Sequence, residues 1–230
     1  MIRSFIFDMD GTLFQTNKIL AISLEDTFNY LGEINQWVGE TPIEKYQEIM
    51  GVPLPVVWET LMPNHTSTVR TLANDYFHEQ LIHNINSGKG ELYPHVFEVF
   101  DFLKENDVSI YIASNGLVKY LQAIVSYYKL DSWVTETFSI EQIHTQNKTD
   151  LVQFIKQKYN INNGAVIGDR LSDINAAKEN NFVSIGCNFD FAQADELAHA
   201  DYVIESLLEL KELLPSLHSF QIQDNASLET

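Results

Sequence analysis

The chain has almost no cysteine and no long hydrophobic run. Cys187 is the only cysteine among 230 residues, which excludes an internal disulfide and favours a reducing compartment. No apolar stretch reaches the roughly 18 residues that a membrane span requires, and the first residues lack the pattern of a signal peptide. We therefore expect a soluble, cytoplasmic protein, whose core draws on the 45% of residues that are hydrophobic.

Basic residues are also scarce. Lys and Arg total 14 against 32 Asp and Glu, which gives a formal net charge of -18. Such a charge repels polyanions, so we expect neither nucleic acid nor an anionic membrane surface as a partner. A small anionic ligand stays compatible with this charge, because a metal ion and one or two cations can reverse the potential locally.

Short, continuous apolar runs predict strands that are buried on both faces of a parallel sheet. These runs lie at 5–7, 108–112, 165–167, 183–185 and 202–204. From residue 92 onward they alternate with segments whose apolar residues recur at helical spacing. This alternation predicts an α/β fold with a doubly wound, Rossmann-like parallel sheet.

The stretch between the first and second predicted strands breaks this alternation, because it reads as long helices without a convincing strand. The final residues are polar and lack periodicity, so we expect them to be loosely ordered. The predicted division is an α/β catalytic core at 1–14 and 89–214, a helical insertion at 15–88 and a tail at 215–230.

Polar side chains collect where the predicted strands end. An open parallel sheet binds its ligand at the carboxyl ends of its strands, so these residues are the ones expected to meet. FDMDGTL at 7–13, ASNG at 113–116 and IGDRLSD at 167–173 each overlap or follow a strand, and NKTDL at 147–151 opens a helix. The candidate residues are Asp8, Asp10, Ser114, Lys148, Asp169 and Asp173.

Each motif alone has an ordinary structural explanation. Asp and Gly favour tight turns, and Ser, Asn and Gly often open a helix after a strand. Together they bring several carboxylates to one crevice, where even a screened pair about 4 Å apart repels by a few kcal/mol. Oxygen ligands favour Mg²⁺, and Lys148 with the Ser114 hydroxyl can bind the remaining oxygens of a phosphate group. The sequence therefore predicts phosphoryl transfer with Mg²⁺ as cofactor.

These four motifs, in this order, resemble those of the haloacid dehalogenase-like hydrolase superfamily. Within it, the chain resembles the branch of phosphoglycolate phosphatase and β-phosphoglucomutase, in which a helical cap is inserted between the first and second motifs. The resemblance covers about residues 1–214 and implies that residues 15–88 form such a cap.

The resemblance also implies a role for each motif residue. Asp8 would be the nucleophile that attacks phosphorus, and Asp10 would protonate the leaving oxygen and later deprotonate water. Mg²⁺ would be held by the Asp8 carboxylate, the Asp10 backbone carbonyl and Asp169, while Asp173 would orient water at the metal or Lys148. The group expected to bind the transferring phosphoryl comprises Ser114, Asn115, Gly116 and Lys148.

The insertion is less informative than the core. Its segment YQEIMGVP at 46–53 resembles the part of the cap that contacts substrate, which makes Gln47, Met50 and Gly51 candidates for substrate binding. Two positions depart from the family pattern, because Gln15 stands where many relatives have aspartate and Thr149 follows the lysine where many have proline. A phosphomutase must hold a second phosphate in the cap, where cations are few: Lys18, Lys45, Arg70 and, at the linker, Lys89.

We predict a Mg²⁺-dependent phosphatase that hydrolyses a small phosphorylated metabolite, such as phosphoglycolate, a sugar phosphate or a nucleoside monophosphate. One alternative is a phosphomutase that uses the same aspartyl phosphate. An alternative of another class is a catalytically silent, regulatory binding protein. We expect a monomer, with a dimer as the alternative.

Overall fold

The computed structural model describes residues 2–49, 54–190 and 192–226. The chain forms two compact units, one containing the residues up to Gln15 and from Leu92 onward, the other Thr16–Glu91. Within the described residues, no helix combines the length and the hydrophobicity that a membrane span needs.

The first unit contains a parallel sheet. Its strands are β1 (Ser4–Phe7), β2 (Ser109–Ser114), β3 (Val134–Ser139), β4 (Gly164–Gly168), β5 (Val183–Cys187) and β6 (Tyr202–Ile204). They are hydrogen-bonded in the order β3-β2-β1-β4-β5-β6, and every pair is parallel. This sheet confirms the predicted α/β, Rossmann-like class, and five of its strands were predicted from apolar runs.

Strand β3 was missed by the sequence prediction. It lies at one edge of the sheet, where β2 is its one neighbour among the described strands. Its sequence VTETFS buries Val134, Phe138 and Ser139 but leaves Thr135 exposed. Because Thr135 is exposed and Glu136 and Thr137 are half-buried, this strand does not need the continuous apolar run that marks the central strands.

The described residues form helices α1 (Asn17–Glu33), α2 (Ile43–Glu48), α3 (Leu54–Leu61), α4 (Ser67–Asn86), α5 (Val96–Glu105), α6 (Val118–Tyr128), α7 (Lys148–Lys158), α8 (Leu171–Glu179), α9 (Ala194–Leu197) and α10 (Glu209–Ala226). Short 3₁₀ turns at Leu130–Ser132 and Ile140–Gln142 flank β3. The first four helices belong to the second unit and the rest to the first unit.

Both faces of the sheet are covered by helices. On one face, Ile6 and Val166 of the central strands share a buried cluster with Leu151 of α7 and Ala177 of α8. On the other face, the ring of Phe7 lies 5.4 Å from that of Phe100 in α5. The central strands are therefore apolar on both sides, and their polar residues are confined to the strand ends.

The helical unit is held together mainly by α1 and α4. Asn84 of α4 is fully buried, and its amide nitrogen donates to Ser23 Oγ at 2.9 Å and to Asp26 Oδ2 at 3.1 Å. Lys89 Nζ donates to the Asn84 amide oxygen at 2.9 Å. A buried amide needs such partners, because an unsatisfied one would cost about 1–3 kcal/mol.

The last helix extends into the stretch that was predicted as a tail. Helix α10 continues through Pro215 and ends at Ala226, and residues 227–230 lie outside the described part. Leu210, Leu214 and Leu217 are buried at helical spacing. This apolar stripe crosses Pro215, and its burial offsets the loss of one backbone donor inside the helix.

Candidate active site

The two halves of the sheet diverge between β1 and β4. The chain builds β2 and β3 on one side of β1 and then returns through α7 to place β4 on the other side. The backbone N–H of Asp8 donates to the carbonyl of Ile167 at 2.8 Å, so the loops after these strands begin side by side. Such a switch point leaves a crevice at the carboxyl ends of the strands.

Three carboxylates meet at this switch point. Asp8 follows β1, Asp169 follows β4, and Asp173 lies in the first turn of α8. Each offers an oxygen, and these oxygens lie within 4.8 Å of one another. All three residues are buried, with exposed fractions of 8%, 8% and 1% respectively. The structure therefore brings together three of the four predicted acidic residues as one cluster.

Two glycines make room for these carboxylates. A Cβ atom on Gly11 would lie 2.4 Å from Asp169 Oδ2, and a Cβ atom on Gly168 would lie 2.2 Å from Asp173 Cγ. Gly11 also has a φ of +77°, which side-chain-bearing residues rarely adopt. Gly11 of FDMDGTL thus permits both the backbone turn and the close approach of the Asp169 carboxylate.

Lys148 is a buried cation in direct contact with the cluster. It is the first residue of α7, where the Asn147 side chain caps the helix by accepting from the Thr149 N–H at 2.8 Å. Its Nζ donates to Asp8 Oδ1 at 2.7 Å and lies 2.9 Å from Asp173 Oδ1. Burial by itself lowers the pKa of Lys148, but the Asp173 and Asp8 charges outweigh that effect and raise the pKa.

Two carboxyl groups of the cluster, those of Asp169 and Asp173, hold protons more tightly than ordinary carboxyls. Burial, reinforced by the charges of Asp8 and Asp173, raises the pKa of Asp169 to about 8. Burial raises the pKa of Asp173 to about 6, although Lys148 opposes this shift. Within the described ranges Asp169 takes part in no ion pair, and Thr12 Oγ1 donates to its Oδ1 at 3.5 Å. One lysine therefore does not compensate three buried carboxylates.

A divalent cation fits this donor set. Mg²⁺ or a similar hard cation binds buried carboxylate oxygens that are spaced for a common ion, and one of these acids forms no ion pair in the described part of the chain. Asp10 is predicted to contribute a backbone carbonyl rather than its carboxylate, and that role stays a prediction. Asp173 contacts Lys148 directly, which suits the expected role of orienting the lysine.

The ASNG loop lies at the end of β2, the neighbour of β1. Ser114 is 1% exposed, and its Oγ accepts from the Gly116 N–H at 3.0 Å. Ser139 Oγ donates to the Gly116 carbonyl at 2.6 Å and so fastens the loop from the β3 side. Asn115 is exposed. The backbone of this loop is therefore fixed, while its contacts with a phosphate stay predicted.

The side chain of Asp10 is hydrogen-bonded to a tyrosine of helix α6. The hydroxyl of Tyr120, in the first turn of α6, donates to Asp10 Oδ1 at 2.5 Å. Asp10 is half-buried, whereas Tyr120 is only 5% exposed. The two acids of FDMDGTL thus have different partners, a lysine for Asp8 and a tyrosine hydroxyl for Asp10.

The candidates in the helical unit are largely outside what the structure describes. Met50 and Gly51 lie outside the described residues. Gln47 belongs to α2, but its side chain is not among the described ones. Their proposed contact with substrate stays a prediction.

Sequence reasoning missed three residues near the motifs: Thr12, Tyr120 and Ser139. Thr12 lies inside FDMDGTL and could have been found as a hydroxyl beside a carboxylate cluster. Tyr120 lies one helical turn after Leu117, which is the N-cap residue of α6, and shares the apolar stripe of that helix. A core-facing tyrosine near a helix start was therefore the signal that could have indicated it. Ser139 ends the strand that was not predicted.

The fold and the cluster together define an α/β enzyme that places acidic groups and a buried lysine at the switch point of a parallel sheet. A family model described as haloacid dehalogenase-like hydrolase matches residues 5–187. The chain belongs to this family, as its motifs suggested.

Curated relatives of similar length carry phosphatase names. A pyrophosphatase PpaX from Oceanobacillus iheyensis is 24% identical over 216 residues, covering 91% of this chain and 95% of the relative. A phosphoglycolate phosphatase from Vibrio vulnificus is 20% identical over 228 residues, covering 93% and 96%. Family and relatives together make this chain a phosphatase of the haloacid dehalogenase-like type.

The fold recurs in solved structures. A mutant of CbbY from Rhodobacter sphaeroides in complex with xylulose-(1,5)bisphosphate matches with a TM-score of 0.74 and 16% identity, covering 91% of this chain and 96% of that one. At this identity the match supports the fold alone.

Proposed function

We propose that this phosphatase is Mg²⁺-dependent and hydrolyses a small phosphate monoester through an aspartyl phosphate on Asp8. The observation that carries the proposal is the buried contact of Lys148 with Asp8 and Asp173, beside an Asp169 carboxyl that lacks an ion pair among the described residues. A nucleophilic carboxylate, a cation against it and a metal-binding pair of acids are the parts that phosphoryl transfer requires.

In the first step, a carboxylate oxygen of Asp8 attacks phosphorus. The bond from phosphorus to the ester oxygen breaks, its electron pair goes to that oxygen, and the Asp10 carboxyl supplies the proton. Lys148 and the Ser114 hydroxyl bind oxygens of the phosphoryl group as it moves. Lys148 thereby offsets the repulsion between Asp8 and the phosphate.

In the second step, a water oxygen attacks the phosphorus of the aspartyl phosphate. Asp10, now a carboxylate, takes the proton of that water, and the bond from phosphorus to Asp8 breaks. Inorganic phosphate is released, and both aspartates return to their first protonation states. When bound to Asp8, Asp169 and the Asp10 carbonyl, Mg²⁺ would neutralise charge on the phosphoryl oxygens.

The cations of the helical unit support hydrolysis over the phosphomutase alternative. Three of them contact acceptors in their own unit: Lys18 pairs with Glu91, Lys45 donates to the Thr60 carbonyl and Lys89 donates to Asn84. Arg70 lines a cavity of about 270 Å³ within that unit. A second phosphate would have to compete for the first three or bind at Arg70.

A substrate panel tests the proposal. The purified protein is assayed with phosphoglycolate, hexose 1-phosphates, nucleoside monophosphates and inorganic pyrophosphate, with Mg²⁺ or with EDTA. We expect release of free phosphate from at least one monoester, and loss of that activity in EDTA. Conversion of a hexose 1-phosphate into its isomer without free phosphate would establish the mutase, and no turnover of any compound would favour the silent binding protein.

Metal binding should be visible in the pH dependence of stability. The folded-state pKa of Asp169 is about 8 and its ordinary value is 3.8, so the folded protein binds the proton more tightly. In EDTA, the free energy of unfolding should therefore fall as the pH rises between these values. Because Mg²⁺ replaces the proton, we expect its stabilisation to be larger at about pH 8 than at about pH 5.

Thermal unfolding across this pH range, in EDTA and in Mg²⁺, measures the effect. Asp169→Asn is the matched variant, because it keeps the shape of the side chain and removes the titrating group. An increase in Tm caused by Mg²⁺ that is equal in the wild type and this variant would contradict a metal site at Asp169.

A further inference from the structure

The hydrogen bond between Tyr120 and Asp10 is not explained by the mechanism above. It joins residues that are 110 positions apart, and the Tyr120 oxygen lies 2.5 Å from Asp10 Oδ1. The tyrosine ring is fixed on its own side, because a Cβ on Gly116 would lie only 3.0 Å from Tyr120 Cδ1. A buried ring packed against the ASNG loop therefore presents its hydroxyl to the second acid of FDMDGTL.

Such a bond changes what a carboxyl group can do. The torsion that rotates an aspartate carboxyl about its Cβ–Cγ bond is broad, so the plane of an unanchored carboxyl varies. A hydrogen bond to one oxygen, from a donor that cannot move, fixes that plane. Proton transfer is sensitive to this geometry, because donor and acceptor must lie within about 2.6–3.2 Å of each other.

We propose that Tyr120 is a positioning residue that orients the Asp10 carboxyl for proton transfer to the leaving oxygen. The inference rests on the proposed function, in which Asp10 is the acid of the first step. Tyr120 itself exchanges no proton with substrate: its hydroxyl stays bonded to Oδ1 while the Asp10 proton passes to the ester oxygen. The bond also ties helix α6, which follows the ASNG loop, to the loop that follows β1.

The proposal makes a prediction about leaving groups. An ester with a poor leaving group depends on protonation, whereas one with a very good leaving group departs without it. Phenyl phosphate releases a phenol with a pKa of about 10, and 2,4-dinitrophenyl phosphate releases a far more acidic phenol of related shape. Loss of orientation at Asp10 should therefore slow the hydrolysis of phenyl phosphate and leave that of 2,4-dinitrophenyl phosphate nearly unchanged.

Tyr120→Phe removes the hydroxyl and keeps the ring. We expect kcat/KM for phenyl phosphate to fall by about tenfold or more, within the range that general acid catalysis contributes, and kcat/KM for 2,4-dinitrophenyl phosphate to change by less than about twofold. Tyr127→Phe is the control, since it makes the same change on the same helix at a residue that is 44% exposed. It should leave both values unchanged.

Asp10→Asn is the reference variant, because it removes the acid itself. We expect its kcat/KM for phenyl phosphate to fall further than that of Tyr120→Phe, again with a smaller effect on 2,4-dinitrophenyl phosphate. Equal losses on both esters in Tyr120→Phe, or no loss on either, would overturn the role of Tyr120. Unfolding curves accompany the kinetics, and Tyr120→Met, which also lacks a donor, replaces the phenylalanine variant if that one does not fold. Failure of the proposed function is a separate result: wild-type protein that releases phosphate from neither ester and from no compound of the substrate panel, or Asp8→Asn protein that still cleaves the esters.

Discussion

Asp8→Asn should reduce kcat by about four orders of magnitude or more, in line with the removal of nucleophiles from other enzymes. The amide is nearly the same size as the carboxylate but is not a nucleophile, so no aspartyl phosphate can form. The fold should persist, because Lys148 keeps its contact with Asp173 at 2.9 Å. Removing one of three clustered negative charges also relieves repulsion in the metal-free protein.

Phosphate release from the best substrate of the panel measures this loss. Unfolding curves in EDTA show whether the variant is as stable as the wild type. Asp131→Asn is the matched control, because it makes the same change at an exposed aspartate of the same unit and should keep full activity. Activity in Asp8→Asn above about one hundredth of the wild type would contradict the nucleophile assignment.

The sequence predicted the fold best where burial is complete. Strands β1, β2, β4 and β5 are covered on both faces, so their residues form apolar runs that no amphipathic helix produces. Edge strand β3 mixes Glu136 and Thr135 with Phe138, and nothing in such a segment distinguishes it from a loop. Two of the three buried leucines of α10, Leu210 and Leu214, precede Pro215, and the polar residues after Leu217 carry no periodic apolar pattern from which a helix could be predicted.

The same contrast holds at the site. Asp8, Asp169 and Asp173 could be expected to meet, because parallel strands place the residues that follow them along one edge. Lys148 follows no strand, and its motif gained weight only from its order in the chain. For Tyr120 the sequence offered only a core-facing tyrosine near a helix start, because its contact with Asp10 joins residues 110 positions apart and belongs to no motif.

Lys148→Met should produce the second large effect, on stability as well as on activity. The side chain of Lys148 is 4% exposed, and the change leaves Asp8 and Asp173 without their cation. Removing one partner of a buried ion pair costs about 3–5 kcal/mol, because the remaining charges stay desolvated. Turnover should also be lost, since the phosphoryl group would meet a cluster of negative charges with no ammonium group to bind it.

Lys158→Met is the internal control, because it removes a lysine from the same helix at the same pair distance. Lys158 Nζ lies 2.7 Å from Glu136, but its side chain is 41% exposed. An exposed pair contributes about 0–1 kcal/mol, so urea unfolding in EDTA should separate the two variants by at least about 2 kcal/mol. The loss in free energy of unfolding caused by Lys148→Met should shrink at lower pH. Lys148 opposes the rise in the pKa of Asp173 that burial causes, so its removal lets a proton neutralise that buried carboxyl more readily. Equal losses in the two lysine variants would mean that burial does not strengthen the contact between Lys148 and Asp8, and the electrostatic basis of the proposed site would fail with it.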